Sequence, residues 1–334
     1  MNENFKLDMP KRPRRLRKSK AVLGLCEETR VSPSDLILPV FLKDGRNGAD
    51  KIVSMPDVYR HTIDSLLRLC EKALNSGVTA IAPFPLVEHS KKSLRADEAL
   101  NPKSLSNRAI AEVKKRFPEI AVVADIALDP YTSHGHDGIL SEDGSWILND
   151  ETVEILTGMS LMAAQAGADF VAPSDMMDGR IGAIRSALDE CDFEETAIMA
   201  YSAKYASAFY GPFRDAVGSA PKSDGKGKPK TYLDKKGYQL NPANAREALR
   251  EAALDEAEGA DVIMVKPAGY YLDIIAKVKE ATNLPIAAYQ VSGEYSMICA
   301  AAQKGWIDLE RAKAESLACI KRAGADMILT YFAL

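Results

Sequence analysis

The feature that most constrains this chain is a short segment that recurs where a helical stretch ends and an apolar run begins. It reads Ser76-Gly77-Val78-Thr79, Ala166-Gly167-Ala168-Asp169, Glu258-Gly259-Ala260-Asp261 and Ala323-Gly324-Ala325-Asp326. Each glycine stands where a helix C-terminus needs a residue tolerant of left-handed φ. Each is followed within a few residues by a short run rich in Ala, Ile, Val, Phe or Met. A helix stop followed at once by a buried-strand sequence is the junction of a repeating α/β unit.

Collecting the apolar runs gives eight expected strands, at 37–41, 80–84, 121–128, 170–175, 197–204, 261–267, 285–292 and 327–332. Most are continuous rather than alternating, as suits strands buried on both faces of a parallel sheet. Intervening stretches, such as 59–75, 151–166, 243–258 and 308–323, carry apolar residues at helical spacing. Eight such units predict an α/β fold closed into a (β/α)8 TIM barrel over residues 31–334. An open doubly wound sheet is the alternative, but no G-x-G-x-x-G follows the first strand. A length of 334 residues with 46% hydrophobic content suits one barrel with additions.

Two segments fall outside the repeat. Residues 1–30 form an extended N-terminal arm that carries Lys11, Arg12, Arg14, Arg15, Arg17, Lys18 and Lys20. Residues 215–240, rich in Gly, Lys, Ser and Pro, lie between the fifth and sixth strands, where so long a loop is expected to be an active-site lid. The net charge of -4 gives no global case for binding nucleic acid or a membrane surface. No apolar run approaches the ~20 residues that span a bilayer, and no apolar segment follows the basic arm as in a secretory signal. The five cysteines, Cys26, Cys70, Cys191, Cys299 and Cys319, are scattered without C-x-x-C spacing. They read as free thiols in a reducing cytoplasm rather than as a disulfide framework or a structural zinc site.

In barrel enzymes the chemistry sits at the C-terminal ends of the strands. The third strand here leads into Asp125 and Asp129, the fourth ends at Ser174-Asp175, the fifth at Lys204, the sixth at Lys266, the seventh at Ser292 and the eighth at Tyr331. A lysine that closes a buried apolar strand is partly desolvated, which disfavours its charged form, and two such amines at one cavity depress each other further. The neutral amine is the form that attacks a ketone to give an imine. A single lysine at a barrel rim is more often one that snorkels to solvent. Two on adjacent strands favour Schiff-base chemistry.

The sequence around these lysines resembles the porphobilinogen synthase (5-aminolevulinate dehydratase) family. The resemblance is carried by Tyr201-Ser202-Ala203-Lys204-Tyr205-Ala206-Ser207, by Phe209-Tyr210-Gly211-Pro212-Phe213-Arg214-Asp215 and by Met264-Val265-Lys266-Pro267. Ala172-Pro173-Ser174-Asp175-Met176-Met177-Asp178-Gly179-Arg180 and Val291-Ser292-Gly293-Glu294-Tyr295 extend it. It implies that Lys266 holds one 5-aminolevulinate as an imine, its carboxylate bound by Ser292 and Tyr331. It further implies that Lys204 holds a second, whose carboxylate meets Arg214 and a basic lid residue. Counting back from Tyr238-Gln239 selects Lys235 for that role, with Lys236 or Lys230 as substitutes. Asp125, Ser174, Tyr210, Phe213 and Gln239 complete the implied substrate site.

The same resemblance bears on metals and assembly. Zinc-dependent relatives carry three cysteines where this chain has Ala127, Asp129 and Asp137, so the chain resembles the aspartate-type, zinc-independent branch. Two aspartates make a harder oxygen site, suited to magnesium, a monovalent cation or none, and no catalytic zinc is expected. His134 and His136 lack a matched third ligand and read as loop hydrogen bonding. Relatives of this branch bind an allosteric Mg2+ through a glutamate on the helix after the lid, a count that selects Glu251. The arm segment Arg12-Pro13-Arg14-Arg15-Leu16-Arg17 is similar to one that wraps a neighbouring subunit in a homo-octamer. Two other classes remain in view. A class I aldolase needs only one such lysine and commonly adds a phosphate site, and a non-catalytic barrel should have lost a lysine or the substrate clamp.

Overall fold

A computed structural model of the chain describes residues 7–219 and 234–334. Eight parallel strands form its centre: β1 (Leu36–Leu42), β2 (Ala80–Pro85), β3 (Ala121–Ile126), β4 (Phe170–Pro173), β5 (Ala197–Lys204), β6 (Val262–Lys266), β7 (Ile286–Tyr289) and β8 (Met327–Leu329). Each pairs with the next, and Leu36↔Ile328 and Ile37↔Leu329 join β8 back to β1, so the sheet closes. The four junction glycines all take positive φ, +81° at Gly77, +99° at Gly167, +104° at Gly259 and +121° at Gly324. Each thus ends a helix in backbone space that a Cβ disfavours.

All eight strands lie where the apolar runs put them, but several runs overshoot. The third run ends its ladder at Ile126, the seventh at Tyr289 and the eighth at Leu329. The sequence stays apolar because Leu128, Val291 and Phe332 remain buried after leaving the ladder, at the mouth of the barrel. The stretch 59–75 divides into a short strand, Tyr59–His61, and a helix, Ile63–Asn75. That strand pairs antiparallel with Ala49–Lys51 and extends the edge of β1, two pairings that helical periodicity does not reveal.

The helices outside the barrel are tied to one another by charge as well as by packing. Arg180, on the helix Arg180–Glu190, is fully buried and donates to both oxygens of Asp255 at 2.8 and 3.1 Å. Asp255 lies on Arg246–Ala257, so a bidentate pair spans the two helices beside β5. The N-terminal arm is different in kind. It has a 3-10 turn at Pro13–Arg17 and a short helix at Lys20–Leu25, and no residue from Leu7 to Arg30 is buried. Residues 1–6 of the arm, and 220–233 of the expected lid with Lys230, lie outside the described residues.

Candidate active site

The register between β5 and β6 decides where the two lysines point. Lys204 and Lys266 are direct partners across the ladder, so they project to the same side of neighbouring strands. The pairing shifts between Ile263 and Val265, where β5 carries one residue more than β6. Such a bulge re-aims side chains, and it allows Tyr201 as well as Lys204 to face the barrel mouth. Both lysines are buried and line one cavity.

Their surroundings differ. The Lys204 ammonium donates to the Ser174 carbonyl and lies 3.7 Å from an Asp137 carboxylate oxygen. The Lys266 amine sits among aromatic rings, 4.6 Å from the ring centre of Tyr289, 4.9 Å from Tyr201 and 5.3 Å from both Tyr210 and Phe213. Burial and the charge of Lys204 lower the pKa of Lys266 to about 7, against the pull of Asp125, Asp129 and Asp137. Asp125 moves the other way. Burial raises its pKa to about 7, with Lys266 opposing and Asp129 reinforcing the rise. An amine and a carboxyl whose charged forms are both disfavoured by burial therefore face one space.

The remaining carboxylates form a hub below Lys204. Asp137 accepts from Lys235 at 3.1 Å and from the Gln239 amide at 3.2 Å. Burial alone would raise its pKa, but Lys204 and Lys235 hold it well below the usual carboxylate range. Asp129 lies 3.8 Å from Lys235, and burial raises its pKa despite that neighbour. Arg214 comes from the helix Gly211–Val217. Ser292 accepts from the Phe213 backbone N–H at 2.9 Å, and the Tyr331 and Tyr289 hydroxyls share a hydrogen bond of 2.9 Å.

Every substrate-site residue expected from the sequence lines this cavity, including Ser174, Tyr210, Phe213 and Gln239. Asp175, the other polar residue at the end of β4, does not. It turns away, accepts from the Met177 N–H at 2.6 Å and lies 3.8 Å from Arg180. Tyr289 and Val291 also line the cavity and were not anticipated, nor was the ring of Tyr201 beside Lys266. For β5 the only available signal, strict alternation, is broken by the bulge. Of the candidate lid lysines, Lys235 is buried at the hub whereas Lys236 is exposed and 4.0 Å from Asp234.

Glu251 lies elsewhere. It is half-buried in a separate cleft with Asn149, Asp178 and Glu247, and burial followed by the nearby Asp255 raises its pKa against the pull of Arg180. Among the described residues no three His, Cys, Asp or Glu side chains group as a metal-holding set. The donor set at 127, 129 and 137 does not fit zinc, since Ala127 has no donor and both aspartates face ammonium groups. His134 accepts from the His136 backbone N–H at 3.2 Å, and burial holds its imidazole down to about 4.

Comparison with known proteins is decisive at this point. The family model for delta-aminolevulinic acid dehydratase matches residues 10–334. The chain belongs to that family. It is 51% identical to the Bradyrhizobium diazoefficiens delta-aminolevulinic acid dehydratase over 98% of this chain and 90% of the relative. A chloroplastic member from Physcomitrium patens is 53% identical over 98% of this chain and 74% of its own length. The crystal structure of the Toxoplasma gondii dehydratase (porphobilinogen synthase), in complex with the reaction product porphobilinogen, superposes with a TM-score of 0.94 at 47% identity. It covers 98% of this chain and 91% of that one. As a dehydratase the protein is a lyase, and among its described residues no helix is long and apolar enough to cross a membrane.

A buried amine whose pKa lies below its unfolded value penalises the fold. Between about pH 7 and the ordinary lysine range the unfolded chain binds a proton at Lys266 that the folded dehydratase does not. Stability from this group therefore falls as pH drops through that window and levels off below it. Lys266→Met is expected to raise stability by about 1–3 kcal/mol near pH 6, with the gain shrinking as pH rises. Thermal unfolding of both proteins across pH checks this, and a gain independent of pH would contradict it.

Proposed function

We propose that this dehydratase is a porphobilinogen synthase that condenses two molecules of 5-aminolevulinate through Schiff bases on Lys266 and Lys204. The observation that carries the reading is the placement of these two amines as ladder partners in one cavity, one of them with a pKa near neutrality. Relatives named for this activity, and a solved relative holding its product, support the substrate assignment.

The neutral Lys266 amine adds to the ketone of the first substrate, and loss of water gives the imine. Asp125, which shares the cavity and has its pKa raised by burial, takes up and returns the protons this step requires. The Ser292 and Tyr331 hydroxyls bind the first carboxylate. Lys204 captures the second ketone, and Arg214 with Lys235 holds the second carboxylate. Holding both ketones side by side makes carbon–carbon and carbon–nitrogen bond formation intramolecular in effect. In total, two waters leave and a final deprotonation gives the pyrrole. Two active amines and one substrate type distinguish this reading from an aldolase, which would use one lysine and a second aldehyde. The product serves tetrapyrrole (heme or chlorophyll) biosynthesis, carried out in the cytoplasm. Borohydride added with 5-aminolevulinate should fix substrate mass on Lys266 and Lys204 by peptide mass spectrometry. Trapping at other residues, or none, would overturn the assignment.

The metal reading follows the donor atoms. Asp129 and Asp137 suit a weak magnesium or monovalent site at most, because Lys235 already meets their charge. Glu251, with Asp178, Asp255 and Glu247 adding negative potential, suits a hydrated Mg2+ that regulates from outside the active site. Activity should survive a zinc-selective chelator and rise with magnesium, and Glu251→Ala should lose the magnesium response alone. A chelator loss restored only by zinc would refute this.

The basic arm, in which no residue from Leu7 to Arg30 is buried, serves to wrap a neighbouring subunit in a homo-octamer. Removal of residues 1–30 should shrink the assembly in light scattering, and an unchanged size would refute that role.

A further inference from the structure

Glu294 is a buried carboxylate that the reaction above does not use. It is 4% exposed and sits one turn into the helix Ser292–Gln303 that follows β7. One oxygen accepts from the Gly269 N–H at 2.6 Å, and the other accepts from the Val291 N–H at 2.7 Å and the Ala268 N–H at 3.5 Å. Its charge is thus met by backbone N–H groups. A simple helix cap would explain the bond to Val291. It does not explain the bonds to Ala268 and Gly269, which belong to the loop that leaves Lys266 on β6.

The neighbours of Glu294 join a third loop to these two. A Cβ at Gly293 would meet backbone atoms of Phe209 at 2.5 to 2.9 Å, so the helix start lies directly on the segment after Lys204. The Ser292 hydroxyl accepts from the Phe213 N–H at 2.9 Å. The Phe209 ring stacks on Tyr270 with centroids 4.8 Å apart, closing the triangle between the loops after β5, β6 and β7. Glu294 is the only ionisable side chain of Ser292-Gly293-Glu294, and it alone bonds across from the Ser292 turn to the loop after Lys266.

We infer that Glu294 is a positioning residue, which fixes the Ser292 hydroxyl relative to Lys266 by bonding the two loops to one carboxylate. The inference rests on the roles proposed above for Lys266 and Ser292. A buried charge costs stability unless its hydrogen bonds are complete, and a glutamine would not restore them, because its amide NH2 would oppose backbone donors.

Glu294→Gln tests this when trapping with 5-aminolevulinate and borohydride is followed separately at each lysine. The substrate concentration for half-maximal trapping at Lys266 should rise roughly tenfold, as for one lost charge-assisted hydrogen bond, while that at Lys204 stays as in the unaltered enzyme. Equal losses at both lysines, in step with the folded fraction by circular dichroism, would make the role merely structural and overturn the inference. No change at either lysine would also overturn it. If the glutamine variant does not fold, Gly269→Ala perturbs the same contact, since its Cβ would lie 2.9 Å from the Glu294 carboxylate. The same selective shift is expected. Absence of trapping in the unaltered enzyme would instead remove the Schiff-base reading itself.

Discussion

The structure turns on an amine held in a buried aromatic enclosure, with no carboxylate within ion-pair distance among the described residues. Lys266 has ring faces around it, whereas its ladder partner Lys204 has a carbonyl and a carboxylate. The mouth of the barrel offers three aspartates, 125, 129 and 137, against three lysines, 204, 235 and 266. Asp137 is held ionised by two of those lysines. The proton least firmly assigned belongs to Asp125 and Lys266, whose affinities both lie near neutrality. A mobile proton beside a nucleophilic amine is what carbonyl addition and dehydration need.

The barrel itself was readable because its signals are local. Gly77, Gly167, Gly259 and Gly324 stop helices for a steric reason that needs no tertiary context, and buried parallel strands advertise themselves as apolar runs. The two cavity lysines were readable for the opposite reason: a cation at the end of such a run violates the pattern, and violations collect at functional sites. What lay beyond the sequence was the phase of β5. An extra residue near Tyr201 changes which side chains face the cavity, and nothing in Ala197–Lys204 marks it. Strand ends were equally hidden, since Leu128 and Val291 are as buried outside the ladder as within it.

The resemblance to the family supplied Lys235, and it supplied roles for Ser292 and Tyr331, which their places at strand ends had already singled out. In three dimensions they fall at the same cavity from three different loops, which spacing along the chain cannot foretell. Asp175 shows the converse. It stands next to Ser174 at a strand end and is charged, yet it turns behind the barrel toward Arg180. Position at a strand end is therefore not sufficient for a place in the site, because the side of the strand to which the residue points also decides.

The hub at Asp129 and Asp137 illustrates how charge balance can be reached with different chemistry on one fold. A cluster of thiolates would repel itself and needs a soft metal to hold it together. Two aspartates impose the same problem in a harder form, and here the ammonium groups of Lys235 and Lys204 answer it directly. The arrangement has a consequence for binding. Lys235 cannot both neutralise Asp137 and grip an incoming carboxylate at full strength, so the second substrate competes with the hub for that cation. On the proposed reading, a carboxylate bound at Lys235 leaves Asp137 more dependent on Lys204, the second proposed imine site. On the proposed reading, Lys266, whose charge burial disfavours, reacts first, and Lys204 follows once the charges around Asp137 have been redistributed.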